Sequence, residues 1–445
     1  MGRNLKPIGH FREVVGQEMR QLDVVILGGG LSGLAAALKL QHLDLEVLDA
    51  ADWIGGRTRS IRLPNGPWIN FGAQYITEDR PTVVELADSL GVDLIHSEMF
   101  EDYYKLLLPE SPAARGEAEA GLQRILAEQS KPRPLTLPEL DEQSFADWLG
   151  PMSEAAADYF DRITLLMNCA STVDLSLAGG LWVWGDQRTS PWNTADIPHH
   201  DRGELVVAGG TSEIARALAR AIGGRVSLRT RVTSVQPNGD GYVVLAEGPE
   251  GSRSIHARRV VCALPGPVAA DVLRGLPGWK MDALRAVHYG RWISTPIVVA
   301  PAGRSAAAYP LVASRPFVRY NVDGFMARTP GDFDAEGGCF HSFMADPAAK
   351  VVWDDPDESI KSGAVRAFVE ALPQYAERIV RVELHRWQHG HPQYVRGLMR
   401  HFPLLAEPVD GIFFAGDYTW QANMEGAVCS GQRAAGQLLA AGGHS

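Results

Sequence analysis

The sequence predicts an α/β protein. An open, mainly parallel nucleotide-binding sheet, discontinuous in the chain, carries an inserted mixed α+β domain. Three observations predict it. A buried-strand pattern runs into a glycine cluster and an Ala/Leu-rich helix at 23–40. The same order of strand, glycine and helix returns in the last forty residues. Between them, at 225–265, stand three strand-like runs, the first two joined by a tight turn. The 445 residues leave room for two or three domains.

The first element is "DVVILGGGLSGLAAALKL" (23–40). Val24 to Leu27 form the unbroken apolar run of a strand buried on both faces. Gly28-Gly29-Gly30-Leu31-Ser32-Gly33 fits GxGxxG, the signature of a Rossmann-like domain. Gly28 allows a tight turn, Gly30 lets the backbone approach a pyrophosphate, and Gly33 lets the helix lie close to the strand. The free N–H groups of the helix start, at Leu31 and Ser32, then face the phosphates. The second strand, "LEVLDA" (45–50), ends at Asp49, placed to accept hydrogen bonds from ribose hydroxyls. A glycine-rich turn with an unrelated acid would look similar. The strand before, the helix after and the spacing favour the nucleotide.

Residues 1–20 read as a polar extension without the apolar core of a signal peptide. From 81 to 204, amphipathic helix patterns such as "PTVVELADSLG" and "EAAADYFDRITLLMNCA" flank a Pro-rich, charged segment (109–138), expected as an exposed loop or insertion. "GGTSEIARALARAIGG" (209–224) is a helix entered at Thr211 or Ser212 and left at a glycine pair. "RVSLRTRVTSVQ" and "GYVVLAEG" are strands joined by the hairpin turn "PNGDG", and "RRVVCALP" is a third. From 276 to 404 aromatic-rich strands (Trp292, Tyr309, Phe317, Tyr320, Phe325, Phe340, Phe343) accompany a helix near 358–372. Last comes "FFAGDYTWQANMEGAVCSG" (413–431): a strand, Gly416, the lone acid Asp417, and a helix of small residues from about Met424 with Asn423 as N-cap. The nucleotide domain is thus expected at 21–80, 205–275 and 405–445, and the substrate-binding domain at 81–204 and 276–404.

Composition narrows the function. A formal net charge of -11 leaves no basic face for nucleic acid. No stretch reaches the ~18 apolar residues of a membrane span. Cys169, Cys262, Cys339 and Cys429 are far apart, without a CxxC pair, so neither a metal, a thiol redox motif nor a disulfide framework is expected. A cytoplasmic, reduced compartment is the expectation, and the Ala/Arg/Gly-rich usage is compatible with a high-GC bacterium.

After Asp49 the chain reads "DAADWIGGRTRS", with a second glycine pair, Gly55-Gly56, and Arg57. Together with "NFGAQYI" (70–76), "RTRVTSV", "VVCALP" (260–265) and "AGDYT", this resembles the flavin-containing amine oxidoreductase family. That family includes monoamine and polyamine oxidases, L-amino-acid oxidases and histone demethylases, with protoporphyrinogen oxidases and carotenoid desaturases as more distant relatives. The likeness spans about 22 to 440. It implies bound FAD, with Gly55, Gly56 and Arg57 approaching the pyrophosphate and flavin, and Gly72, Ala73 and Gln74 passing beside the flavin ring. Val232 would meet the adenine through its backbone, a role compatible with an inward strand position. Gly416, Asp417 and Thr419 would place a carboxylate on a ribityl hydroxyl. The helix from Met424 would aim its N-terminus at the flavin pyrimidine edge, where its dipole favours the reduced, negatively charged ring by ~0.3–1 kcal/mol. Gly426, Ala427, Gly431, Ala434 and Ala435 keep that helix slim.

The implied reaction moves a hydride from a carbon next to nitrogen to flavin N5. Several departures qualify it. Aspartate replaces the usual glutamate at position 49. The family's lysine beside N5 has no counterpart in "HYGRWISTPIVVA" (288–300), where Arg291, Trp292, Ser294 and Thr295 stand. No cysteine stands in "HGHPQY", which implies non-covalent FAD. Of the two tyrosines that cage the amine in monoamine oxidases, Tyr394 matches the first and Asn423 takes the place of the second, leaving the cage half missing or rebuilt from Trp420 or Trp387. Tyr394, Asn423 and Trp420 are therefore the candidate substrate-side residues; Tyr394 and Trp387 read equally well as packing. His385, His389 and His391 lack the acids and cysteines of a metal site and suit a base or a hydrogen-bond partner. His199 and His200 belong to an expected exposed loop.

Expected partners are a small-molecule substrate and O2 or another electron acceptor, with no nucleic acid and no membrane; a homodimer is an assembly open to it. Three other readings stay open: a C–C dehydrogenase or desaturase on an apolar substrate, a non-redox flavin isomerase or cyclase in secondary metabolism, and a non-catalytic FAD-binding scaffold.

Overall fold

A computed structural model describes residues 21–63, 68–78, 80–97, 108–131, 138–185, 204–300, 311–312, 324–327 and 338–442. The N-terminal extension, Tyr309, Phe317, Tyr320 and the pair His199-His200 lie outside them.

The strand Gln21–Leu27 runs between Leu45–Leu48 on one side and Gly251–Cys262 on the other, parallel to both. Val226–Ser227 extends the sheet beyond Leu45–Leu48. The far edge of Gly251–Cys262 is shared. Its first half takes Gly241–Gly248 antiparallel, and Val260–Cys262 then takes Ile412–Phe414 in parallel. The two ends of the chain thus meet across one strand. The Val24–Leu27 run is apolar throughout because both faces are covered: Val25 and Leu27 enter one core cluster, Val24 and Ile26 another, each residue fully buried. Each such side chain contributes about 1.5–3 kcal/mol. The turn "PNGDG" joins Arg231–Asn238 to Gly241–Gly248 through Gly239, whose φ is +61°.

A second sheet places Gly338–Ala345 beside His288–Ser294, which pairs in turn with His385–Gln393. One face packs on the helix Asp357–Ala371, where Phe340 meets Phe368. On another side a small cluster joins Ile69 and Phe71 to Cys339 and Trp387, tying this sheet to the strand Trp68–Asn70. Among the described residues no helix is long and apolar enough to cross a membrane.

One expectation needs correction. The charged segment 109–138 is not loop throughout: Pro112–Gln129 is an 18-residue helix. Proline at its start is tolerated, and its Ala, Glu, Leu, Arg and Gln content outweighs the flanking prolines and the internal glycines. It buries Ala114, Ala118, Gly121 and Ile125 along one stripe, with Gly121 pressed on Phe160.

Candidate cofactor and substrate site

The glycines of the first loop do different jobs. A Cβ on Gly33 would sit 2.0 Å from the carbonyl oxygen of Gly28, and one on Gly28 would sit 2.8 Å from that of Ala263. Both glycines keep strand and helix together. Gly30 has nothing within 4 Å of where its Cβ would stand. The helix Leu31–Lys39 begins beside it without a side-chain cap, so no capping side chain takes up its first N–H groups. The second glycine loop lies against the first: Gly55 N–H donates to Gly29 O at 2.9 Å, and a Cβ on Gly56 would come within 3.4 Å of Gly30 Cα. Two bare loops beside an uncapped helix start form a cradle for an anionic group, and a dinucleotide pyrophosphate fits it.

Asp49 holds this loop from below, accepting from Gly29 N–H at 2.6 Å and from Ala51 N–H at 2.8 Å. Burial raises its pKa while those two N–H groups lower it. A carboxylate has about four acceptor positions, so capacity remains for ribose hydroxyls. Asp49 also anchors the adjoining strands through Thr230 N–H, which donates to its carbonyl at 2.7 Å, two residues before the half-buried Val232.

Arg57 ties the two ends of the chain. Its Nη2 lies 2.6 Å from Asp417 Oδ1, and its Nη1 donates to Gly390 O at 3.2 Å. Burial pulls the Arg57 pKa down, but the charge and hydrogen bond of Asp417 outweigh it and the net shift is upward. The carbonyl of Arg57 lies 1.9 Å from where a Cβ on Gly72 would stand and accepts from Ala73 N–H at 3.0 Å. Gln74 is turned back: its Nε2 donates to Gly72 O at 2.7 Å and sits 3.2 Å from His341 Nδ1.

Gly416, at φ +132°, leads into the short turn Asp417–Thr419. Arg433 braces that turn from the next helix, donating to Thr419 O, Thr419 Oγ1 and Phe414 O at 2.8–2.9 Å. Asn423 caps the helix Met424–Gly442, its Oδ1 accepting from Gly426 N–H at 2.8 Å. Met424 is buried. The slimness of this helix answers to a neighbouring helix: a Cβ on Gly431 would lie 2.1 Å from Ser32 O, in the first helix of the chain. Glu425 reaches the other way and accepts from the N–H groups of Thr82 and Val83, capping Pro81–Ser89.

Of the candidate substrate residues, Tyr394 meets the turn that carries Trp420 and Asn423. Tyr394 is 3% exposed, stacked on Trp182 at 4.8 Å, and its hydroxyl accepts from Ala422 N–H at 2.9 Å, bracing the turn before Asn423. Trp420 lies near the Arg433 guanidinium, 5.6 Å from ring centroid to Cζ. Trp387 donates through Nε1 to Phe71 O at 2.7 Å. Ser294 is fully buried beside Phe343 and His385 in the strand register.

Sequence reasoning missed three residues. His341 interrupts an apolar strand, which is itself a signal, since a polar residue in a buried run needs a partner. Arg433 stands among small residues, a weaker signal. Lys280 gave none: "GWKMDALR" reads as an ordinary helix, yet its ammonium is fully buried, donates to Leu404 O, Leu405 O and Glu407 O, and lies 3.7 Å from the Phe414 ring centroid.

A discontinuous Rossmann-like sheet, two bare glycine loops and an acid turn reaching them from the far end of the chain are the parts of a dinucleotide-binding fold. The comparisons narrow this class. The family model for flavin-containing amine oxidoreductases matches residues 31–439, and the chain belongs to that family. It is 26% identical over 461 residues to amine oxidase B of Rattus norvegicus, covering 94% of this chain and 86% of that one. To amine oxidase A of Sus scrofa it is 25% identical, over 94% and 85% of the two chains. Among solved structures, a triple mutant of putrescine oxidase aligns over 95% of this chain and 99% of its own, with a TM-score of 0.76 at 22% identity. The cyclohexylamine oxidase of Brevibacterium oxydans IH-35A aligns over 94% and 99%, with a TM-score of 0.74 at 20% identity. The chain is therefore an FAD-dependent oxidoreductase with the fold of the amine oxidases.

Proposed function

We propose that this enzyme holds FAD non-covalently and oxidises the carbon–nitrogen bond of a small amine or amino-acid-like substrate. The observation that carries the reading is the Arg57–Asp417 pair, which brings the cofactor segments from both chain ends together over the Gly30 cradle. Leu31, Ser32, Gly55 and Gly56 would hold the pyrophosphate, Asp49 and Val232 the adenosine end, and Asp417 the ribityl chain, with Gly72, Ala73 and Gln74 beside the ring. When bound, FAD accepts a hydride from the carbon beside nitrogen, and the protein supplies geometry and electrostatics. The strand His385–Gln393 contains no cysteine to link the flavin.

The test is anaerobic mixing with putrescine, cyclohexylamine and a panel of amino acids. Bleaching of the flavin absorbance by at least one is expected, and a protein that no amine bleaches refutes the reading. Denaturation should release all yellow colour into solution; colour retained on the polypeptide would refute the non-covalent attachment.

One observation favours a second reading for the electron acceptor. The strand His288–Ser294 carries no lysine, and Lys280 spends its ammonium on three carbonyls. A dehydrogenase would reduce an artificial acceptor much faster than O2; matching peroxide release would instead make it an oxidase.

A further inference from the structure

Four histidines lie around the segments assigned to the flavin, and three are committed. His385 Nδ1 lies 2.8 Å from Arg59 Nη1. His391 Nδ1 meets Asn168 Nδ2 at 3.2 Å and Pro392 O at 3.0 Å. His341 faces Gln74. His389 is different: among the described residues its ring nitrogens have no hydrogen-bond partner, and the side chain is only half-buried.

Its position is fixed by rings and not by hydrogen bonds. The His389 imidazole stands edge-on to Tyr289, with centroids 5.2 Å apart. The Arg57 guanidinium lies 6.0 Å from the same Tyr289 ring and bonds to the carbonyl of the next residue, Gly390. Arg57 in turn pairs with Asp417. The chain Asp417, Arg57, Tyr289, His389 therefore leads from the cofactor motifs to a free imidazole on the strand that closes over them.

We propose that His389 takes a proton from the incoming ammonium substrate, so that the amine is neutral when its carbon is oxidised. This rests on the amine-oxidising function proposed above. An alkylammonium, like a lysine side chain, holds its proton up to about pH 10 and has no lone pair to support loss of hydride. One N–H bond breaks, and its proton passes to the unprotonated nitrogen of His389. The carbon then gives up its hydride to the flavin, the oxidant, and the imidazolium returns its proton to solvent. The charged and titratable groups that act on His389 are Arg57 from the cofactor segments and Tyr289 from the adjacent strand. Burial and then the Arg57 charge hold the His389 pKa below its ordinary value, so the ring is neutral and ready to accept at pH 7.

The experiment is anaerobic reduction of the holoenzyme by cyclohexylamine from pH 6 to 10, in the parent and in His389→Asn and His389→Gln. In the parent, the second-order rate constant of flavin reduction should rise with a limb below pH 6.5 and stay flat until the substrate itself loses its proton. In the variants it should fall about 100-fold at pH 7 and recover tenfold per pH unit toward the substrate pKa, at unchanged flavin content. Variants that keep the parent's flat profile overturn the proposal, and so do variants that lose their flavin. The parent decides the matter even without variants, because a log-linear rise from pH 6 to 10 leaves no role for a base. If cyclohexylamine and the other amines fail to bleach the parent at every pH, the amine reading itself falls.

Discussion

Around the two glycine loops the backbone sets the shape. Gly28, Gly33, Gly55, Gly56 and Gly72 are bare because neighbouring chain segments would collide with a Cβ or because φ is positive. Asp49 and Arg433 spend themselves on main-chain groups. Across the site, on the sheet formed by His288–Ser294, Gly338–Ala345 and His385–Gln393, side chains define the surface: Trp292 stacked on Phe343, His341 against Gln74, Trp387 on Phe71. The contrast teaches where specificity can change. A backbone-built cradle accepts little variation because its constraints are steric. Side-chain contacts can change residue by residue, each at the cost of repacking its buried neighbours.

The most severe way to break the first region is to add a side chain where the chain itself stands. Gly33→Val and Gly72→Val place atoms within 2.0 Å of the carbonyls of Gly28 and Arg57; no soluble flavoprotein is expected from either, read by yield and flavin absorbance. Gly30→Ala is the sharp contrast. It meets no protein atom, so the melting temperature without flavin should stay within about 1–2 °C of the parent, within the range of a strain-free surface change, while FAD affinity falls at least about tenfold. Equal affinity in calorimetric titration would remove the pyrophosphate from this cradle.

Next in size is Asp417→Asn, which keeps the shape and removes the charge facing Arg57. With the Arg57 side chain still 36% exposed, solvent screens the pair, and a loss of at most about 1 kcal/mol is expected, read as a lower melting temperature and weaker FAD binding.

Lys280 tests the rear of the C-terminal motif through pH. Burial lowers its pKa to about 7, against about 10.5 unfolded. Between those values the unfolded chain binds more protons, so this group's contribution to stability rises with pH through that window and is lost as pH falls through about 7. The parent should gain stability from pH 7 to 9 relative to Lys280→Met, in paired thermal melts; parallel curves would contradict the assignment.

A comparably small effect separates cap from substrate contact. Asn423→Ala should cost about 1 kcal/mol of stability, and Asn423→Ser should restore it. If KM for an amine moves in the serine variant while the melting temperature does not, Asn423 also contacts the substrate.

The sequence determined the nucleotide half by itself. Gly28 to Gly33, Asp49, Gly55 to Arg57 and Gly416-Asp417 are legible because their constraints are local: a positive φ, a missing Cβ or an acid at a strand end leaves its mark in a few consecutive residues. The cap at Asn423 is legible for the same reason. Only the tertiary structure decided the rest. Arg57 and Asp417 are 360 residues apart in the chain; Tyr394 turned inward to Trp182 and Ala422, and Lys280 found three carbonyls in a segment more than 120 residues away. Flanking prolines hid the helix Pro112–Gln129 in a segment whose remaining residues favour it. Such pairings arise from how separate segments are packed, and burial and hydrogen-bond satisfaction at long range leave no periodicity in the sequence from which they could be read.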